Sequence, residues 1–323
     1  MNDNFELIDG IWYEYDGDTA IVSENIDDDL KDKFIKIPSE VKDSDGYIHR
    51  VIKIDFSAFA CCEKLEAVEI ADSIEEIGKD AFSGCENLKF VKLPNKLSEI
   101  AENMFFDCAN LQTLVIPDTV KSIGNSAFWN CKNLTDLILP ESLEKLGERV
   151  FSYCTKLTSL FIPASVNEIH SKSLSLGSSF ERLEVDGANV KYFSEGNCII
   201  ERNTNKLIAG CKTSVVPSYV TEIGDSAFAM TSELKRIALP QGVVKIGKEA
   251  FLKCYNLEEI RIPSSVTQIG EKAFEECNFR RARLICDFAK KPEGWSDDIG
   301  VNKKNIVWTV KQGILGRLKS IFK

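Results

Sequence analysis

Apolar and polar positions alternate along this chain on two scales. On the short scale, stretches such as Leu257-Glu258-Glu259-Ile260-Arg261-Ile262 alternate with period two and stop at a proline, here Pro263. That pattern predicts a brief strand with one buried face. Proline brings no N–H to a ladder and ends the strand. On the long scale the whole pattern returns every 23 residues. Phe59, Phe82, Phe105, Phe128 and Phe151 keep this beat, Leu174 takes the next slot, and Phe228, Phe251 and Phe274 resume it after one longer interval. Cysteine recurs three residues after the Phe slot, leucine six after, proline twelve after and isoleucine five before. A fixed period of this length predicts a solenoid, in which each rung is one supersecondary unit stacked on the last. The A-F-x-x-C-x-x-L spacing puts Phe, Cys and Leu on one side of a helical or 3₁₀ turn. The glycine before that turn is expected to supply a backbone angle that other residues resist. Five apolar slots, at about 1.5–3 kcal/mol each, contribute on the order of 10 kcal/mol per rung before chain entropy is subtracted.

The rungs Ile77-Gly78-Lys79-Asp80-Ala81-Phe82-Ser83-Gly84-Cys85 and Ile123-Gly124-Asn125-Ser126-Ala127-Phe128 carry a family resemblance. Together with their repeats over roughly residues 35 to 310, the pattern resembles the BspA-like leucine-rich repeat family, the bacterial 23-residue type. The asparagine ladder that follows the strand in standard leucine-rich repeats is missing. The resemblance implies an α/β leucine-rich-repeat solenoid of about ten rungs, with parallel strands on a concave face and short helical or 3₁₀ turns opposite. It also implies a non-enzymatic protein, since several members look like surface adhesins or partner-binding proteins.

The repeat sets the domain plan. Residues 1–50 are expected to form an N-terminal cap and the start of the first rung, because an open solenoid end exposes core and strand edge. Ile11–Tyr15 and Thr19–Val22 flank Asp16-Gly17-Asp18, a hairpin signal. Residues 51–285 form the solenoid, and 186–216 are a lengthened rung. There Cys198–Glu201 and Lys206–Ala209 flank Arg202–Asn205, predicting a hairpin that is either a tolerated insertion or a binding protrusion. Residues 286–310 read as a C-terminal cap, with Trp308 covering the last rung. The tail, 311–323, changes character. Lys311, Arg317, Lys319 and Lys323 are basic and no acid is present, while Ile314, Leu315, Leu318, Ile321 and Phe322 share one helical face. Three roles fit such a tail: weak peripheral contact with an anionic membrane, docking in a partner groove, or folding back on the chain's own acidic surface.

Composition narrows the function. Forty basic against fifty acidic residues give a formal charge of −10, which argues against a broad nucleic-acid surface. The first residues, Met1 to Glu6, have neither basic nor apolar signal character, so the chain as given is expected to be cytoplasmic, or at the cell surface if a signal preceded it. Seven of the eleven cysteines share one repeat slot, which predicts small, reduced, apolar core positions rather than disulfides. No C-x-x-C occurs, so neither a metal nor another cofactor is expected. The two histidines, His49 and His170, lie in different rungs outside any nucleophile motif, with His170 in a surface turn slot. Gly242–Glu249 spells most of a phosphate-binding loop, but Glu249 replaces the required hydroxyl and would repel phosphate. These absences predict no catalytic residues.

Binding is the remaining class. The residue between the last two apolar positions of each strand should point outward: Glu69, Lys92, Val115, Ile138, Phe161, Glu184, Ala238 and Arg261. Three consecutive rungs break the charged trend. Val115, Ile138 and Phe161, edged by Phe90 and Arg182, therefore form a candidate concave patch for a protein partner. A second cluster, Phe106, Trp129 and Tyr153, places large aromatics where other rungs have small residues, which suits either binding of a glycan or protein or simple packing along the outer surface. The expected function is a protein-interaction module. The alternatives are a surface adhesin for host matrix or glycan, and an intracellular scaffold held to membrane by Ile314, Leu315, Arg317, Leu318, Lys319 and Phe322.

Overall fold

Three stretches of backbone in each rung hydrogen-bond to the next rung, so the Phe-containing turn is as much part of the ladder as the strands. This is the arrangement in a computed structural model that describes residues 4–24, 30, 32–174, 180–277 and 283–310. Over these residues the chain winds as a β-solenoid of about 11 turns with parallel strands. The first stretch is the longer strand before the proline slot. Five of them pair in parallel in one sheet, ordered Asp136–Ile138, Thr113–Val115, Phe90–Lys92, Ala67–Ile70 and Phe34–Ile37. The second is a two-residue strand at the Ile slot, as in Glu99–Ile100, Ser122–Ile123, Lys145–Leu146 and Glu168–Ile169. The third is the turn itself, where Asp80, Phe82 and Gly84 donate to the carbonyls of Glu102, Met104 and Phe106 in the following rung, at 3.0, 3.1 and 2.7 Å.

That third ladder corrects the expectation of helical turns. Residues two before and two after each Phe hold left-handed φ: Asp80 at 57° and Gly84 at 73°, Asn103 at 54° and Asp107 at 59°, Ser126 at 53° and Asn130 at 60°. A helix needs φ near −63° at every residue. Two left-handed residues per turn forbid it and aim alternate N–H groups at the neighbouring rung. The α/β label is therefore too generous. Among the described residues the only helical element is a 3₁₀ turn, Lys303–Asn305.

The repeat glycine also has another cause than the one its position suggests. Gly78, Gly124, Gly247 and Gly270 do not use the left-handed region. A side chain at Gly78 would lie 2.6 Å from the Phe56 nitrogen, and one at Gly270 2.4 Å from that of Lys248. Glycine is required there because consecutive rungs touch backbone to backbone, as each glycine N–H donates at 2.8 Å to the Ile-slot carbonyl of the rung before.

Two compact units divide the chain. Unit 1 holds residues 1–180 and 185–191, and unit 2 holds 181–184 and 192–323. Unit 1 begins with the predicted hairpin, in which Ile11–Asp16 pairs antiparallel with Thr19–Val22; Phe5–Ile8 adds to one side and Ile48–Ile54 to the other. His49, only 7% exposed, joins this cap by bonding Gly17 O through Nδ1 and Asp43 Oδ2 through Nε2, both at 2.9 Å. In unit 2 the predicted hairpin is present, Cys198–Glu201 against Lys206–Gly210, with a further strand, Tyr192–Glu195, on its other side. In the C-terminal segment, Ile306–Trp308 pairs in parallel with Arg283–Cys286. Trp295 is the buried residue, joined to the core with Phe274 and Leu284, and Trp308 stacks over it at 5.9 Å while staying partly exposed.

The core is a column of like residues. Phe59, Phe82, Phe105, Phe128 and Phe151 are fully buried and stacked, with centroids 5.4–6.1 Å apart and planes within 8°. Offset stacking at this spacing is favourable beyond area burial. The cysteines form a second column. Each thiol donates to the Phe-slot carbonyl of the rung before: Cys108 to Phe82, Cys131 to Phe105, Cys154 to Phe128 and Cys254 to Phe228, all at 3.1 Å. All eleven cysteines are free. Burial pushes the Cys154 thiol up to about 12, so it stays a neutral packing and donor group rather than a nucleophile.

Candidate binding surface on the strand face

Strand alternation decides which side chains reach solvent. In Thr113-Leu114-Val115 and Asp136-Leu137-Ile138 the central leucines are buried and the flanking residues are exposed. The parallel register sets Val115 directly beside Ile138 and Thr113 beside Asp136. Val115 and Ile138 are each 83% exposed, an extreme value for aliphatic residues on adjacent strands. They line a groove of about 330 Å³ with Thr113, Asp118, Asp136 and Glu141. Its floor is apolar and its rim carries three carboxylates.

The other predicted patch residues fall around this groove unevenly. Phe90, 51% exposed, lies on the next strand opposite Thr113. Phe161 is exposed on Ser159–Ile162, a strand outside the five-stranded sheet. Arg182 belongs to unit 2 and is engaged by Glu184 at 2.7 Å. Sequence reasoning missed Asp118 and Glu141. Each follows a strand-ending proline, a slot that other rungs fill with Asn95, Ala164 or Gln241, so no regular signal marked it.

Elsewhere on the strand face of unit 1, charge is matched rung by rung. Glu66 is held by Lys33 and Lys89, both at 2.7 Å. Glu69 is held by Lys92 at 2.9 Å and Lys36 at 3.8 Å. The Lys33 and Lys89 ammonium groups hold the Glu66 carboxyl down at about 2. Unit 2 has its own groove of about 730 Å³, lined by Ser214, Val215, Arg236, Ala238, Glu258, Glu259 and Arg261. Here the charges are balanced. Arg236 meets Glu258 at 3.4 Å, and Arg261 grips Asp287 through two bonds of 2.9 Å.

The outer aromatics come together as predicted but spend their faces on each other. Phe106 stacks on Trp129 at 4.4 Å with planes 4° apart, and Tyr153 meets Trp129 edge-on at 5.1 Å. The phosphate-loop lookalike resolves into repeat parts: Gly247 abuts Asp225, and Glu249 is the left-handed turn residue, at φ 55°. His170 lies in a surface turn, where its Nδ1 accepts from Lys172 N at 3.2 Å. Among the described residues no group of three or more His, Cys, Asp or Glu is placed to hold a metal, and no helix is long and apolar enough to cross a membrane. The tail residues Ile314, Leu315, Arg317, Leu318, Lys319 and Phe322 lie outside the described residues.

Comparison with known proteins gives a consistent result. The family model described as BspA type leucine rich repeat region matches in six copies over residues 52–181 and 198–290, more than half of the chain. No curated protein matches. Among solved structures, the chain is similar to a leucine rich cell surface protein of Faecalibacterium prausnitzii, with 24% identity over 97% of this chain and 96% of that one, at a TM-score of 0.66. It is also similar to the pneumococcal vaccine antigen PcpA, with 21% identity over 87% and 81%, at a TM-score of 0.72. A leucine-rich repeat protein of Eubacterium ventriosum matches at 19% identity over 87% and 71%, with a TM-score of 0.56. At these identities the likeness is one of fold.

Proposed function

We propose a protein-binding function for this chain, which belongs to the BspA type leucine rich repeat family. Its relatives are leucine-rich repeat proteins, a family not known for catalysis and typically engaged in protein interaction or found at surfaces. The observation that carries the reading is the adjacent pair Val115 and Ile138, each 83% exposed above a buried sheet. Two neighbouring aliphatic side chains held in water on a rigid ladder form the apolar centre that a partner would desolvate, and the rim acids would orient it. The solenoid supplies rigidity and the strand register supplies spacing. Capture takes place on the strand face of unit 1.

Capture experiments with native lysate and envelope fractions test this. Ile138→Glu is expected to lower partner recovery at least tenfold, about 1.4 kcal/mol, while leaving the thermal transition unchanged. Arg261→Ala in unit 2 is expected to leave recovery intact. Equal recovery by wild type and Ile138→Glu would remove this face from consideration. The fraction that yields the partner separates two settings: an envelope or host-matrix partner fits the adhesin alternative, a soluble one the interaction module. The membrane-scaffold alternative depends on residues 311–323, and phosphatidylserine vesicles that ignore their deletion would exclude it.

A further inference from the structure

The groove of Val115 and Ile138 lies wholly within unit 1, and two outward columns of that unit run into it. In the first column, Lys36, Glu69 and Lys92 are lateral neighbours that neutralise one another, Glu69 meeting Lys92 at 2.9 Å and Lys36 at 3.8 Å. The same slot of the next two rungs holds Val115 and Ile138, and there the charge ladder stops. In the second column, Asp72 accepts from Asn95 twice, from its backbone N–H at 2.8 Å and its side-chain amide at 3.2 Å. The same slot of the next two rungs holds Asp118 and Glu141, two acids that repel each other. Among the described residues no lysine or arginine forms an ion pair with Asp118, Asp136 or Glu141.

Three carboxylates thus frame the aliphatic pair from two ends of its strands. Asp136 precedes Ile138 on one strand, and Asp118 and Glu141 follow the strand-ending prolines. Lys92, the last lysine of the first column, is committed to Glu69. Water solvates the acids well and the aliphatics poorly, so the site gains most from an occupant that covers the pair and brings positive charge to both ends. Charge of one sign beside an apolar floor also concentrates cations. Thr113–Val115 has ladder partners on both edges, Phe90–Lys92 and Asp136–Ile138, so recognition there is by side chains rather than by strand addition. At about 330 Å³ the groove lies near the lower end of ligand sites and takes a few side chains.

We propose that this groove binds a short polypeptide segment of a partner protein, in which apolar side chains are flanked on both sides by lysine or arginine. This rests on the reading of that face as a binding surface and names the chemistry of its occupant. Asp136 and Glu141 are separated by at most about 17 Å of chain. Cations four or five residues apart in an extended partner span about 13–17 Å and match that separation. An apolar side chain between them lies over Val115 and Ile138. Asp136 accepts from Thr135 Oγ1 at 3.1 Å and keeps lone pairs for a cation. The contact is salt-sensitive, because exposed charges are screened beyond about 10 Å at 0.1 M salt.

The test titrates the full chain into a labelled synthetic peptide, Lys-Lys-Leu-Phe-Leu-Lys-Lys with blocked ends, followed by fluorescence anisotropy. Saturable binding is expected below about 1 mM, weakening as salt rises. Replacing the peptide's lysines by glutamates, or its apolar residues by serines, should each lower affinity at least about tenfold. On the protein, Ile138→Ser and, separately, Asp118→Asn with Glu141→Gln should each lower it at least about fivefold, and the acid pair should also flatten the salt dependence. All three side chains are exposed, so both variants are expected to keep the wild-type melting transition. No saturation by about 1 mM, equal binding of the glutamate peptide, or equal binding by wild type and both variants would overturn the proposal. Equal binding of the serine peptide would show a site for cations alone and overturn it too. A dimer in light scattering that Ile138→Ser dissociates would make a second copy the occupant, with the same consequence. If the peptide fails while Ile138→Glu still loses its captured partner, the face binds a partner of other chemistry; if neither responds, the reading of the face fails too.

Discussion

The two strand faces are built on the same core and present opposite surfaces. In unit 1 the outward positions of Thr113–Val115 and Asp136–Ile138 expose two aliphatics beneath an unpaired acidic rim. In unit 2 the corresponding positions of Arg236–Ala238 and Glu259–Ile262 hold alanine and arginine, and Arg261 is locked to Asp287. Beneath both, the buried slots are nearly interchangeable. Phe105 stacks on Phe128 at 5.7 Å, and Phe228 on Phe251 at 5.2 Å. The lesson is that the repeat fixes the interior while leaving the outward column free to diverge, so function in this fold is to be sought where a column departs from its own trend.

The strongest way to break that comparison is to show that the cores differ. Phe128→Ala and Phe251→Ala each remove a fully buried ring from a stack with neighbours on both sides. Each is expected to cost about 3–5 kcal/mol. Denaturant unfolding should place both losses in that range, and a loss in one unit several times that in the other would end the claim of a common core.

A finer test lies in the cysteine column. Thr231 occupies the slot held by Cys254 in the next rung and is 3% exposed. Its Oγ1 is buried without a hydrogen-bond partner. The donor geometry used by the cysteines has no counterpart here, since Thr231 Oγ1 reaches no carbonyl of the lengthened rung that precedes it. Relieving a buried, unsatisfied hydroxyl gains about 1 kcal/mol. Thr231→Val is therefore expected to raise the denaturant midpoint, whereas the same change at Cys131, whose thiol is bonded to Phe105 O, should not.

These particulars also show what the sequence makes legible. The 23-residue beat states the solenoid outright, and strand alternation identifies Val115 and Ile138 as outward. The hairpin at Cys198–Gly210 is readable from two apolar runs around Arg202–Asn205. That the Phe-containing turns of the described residues are not helical is not readable. Its cause is left-handed backbone at Asp80, Asn103, Ser126, Glu249 and Lys272, residue types with no shared signature and no need for glycine. The glycines that do recur serve backbone contact instead. A hydroxyl column is present in the sequence two residues after the proline slot but looks like ordinary turn chemistry. Only the structure shows Thr119, Ser142, Ser165 and Ser265 donating at 2.6–2.7 Å to carbonyls of the rung before. The acid rim escaped for a related reason. Pairing between rungs, not residue type, distinguishes Glu66 from Asp118.

The smallest effect concerns that pairing. Glu66 lies between two lysines, and its carboxyl is held down at about 2, by Lys33 first and Lys89 second. A folded value below the unfolded one stabilises the protein above the unfolded value, and the benefit is lost as pH falls through the folded value. The window therefore runs from the ordinary value of 4.5 down to about 2. Arg261 depresses Asp287 in unit 2 in the same sense. Because both pairs face water, their contributions are small. Glu66→Gln and Asp287→Asn should each lower the melting temperature slightly at pH 6, and the difference from wild type should shrink as the solution is acidified towards pH 2. If neither difference shrinks on acidification, the lysines and Arg261 do not hold these two carboxyls down.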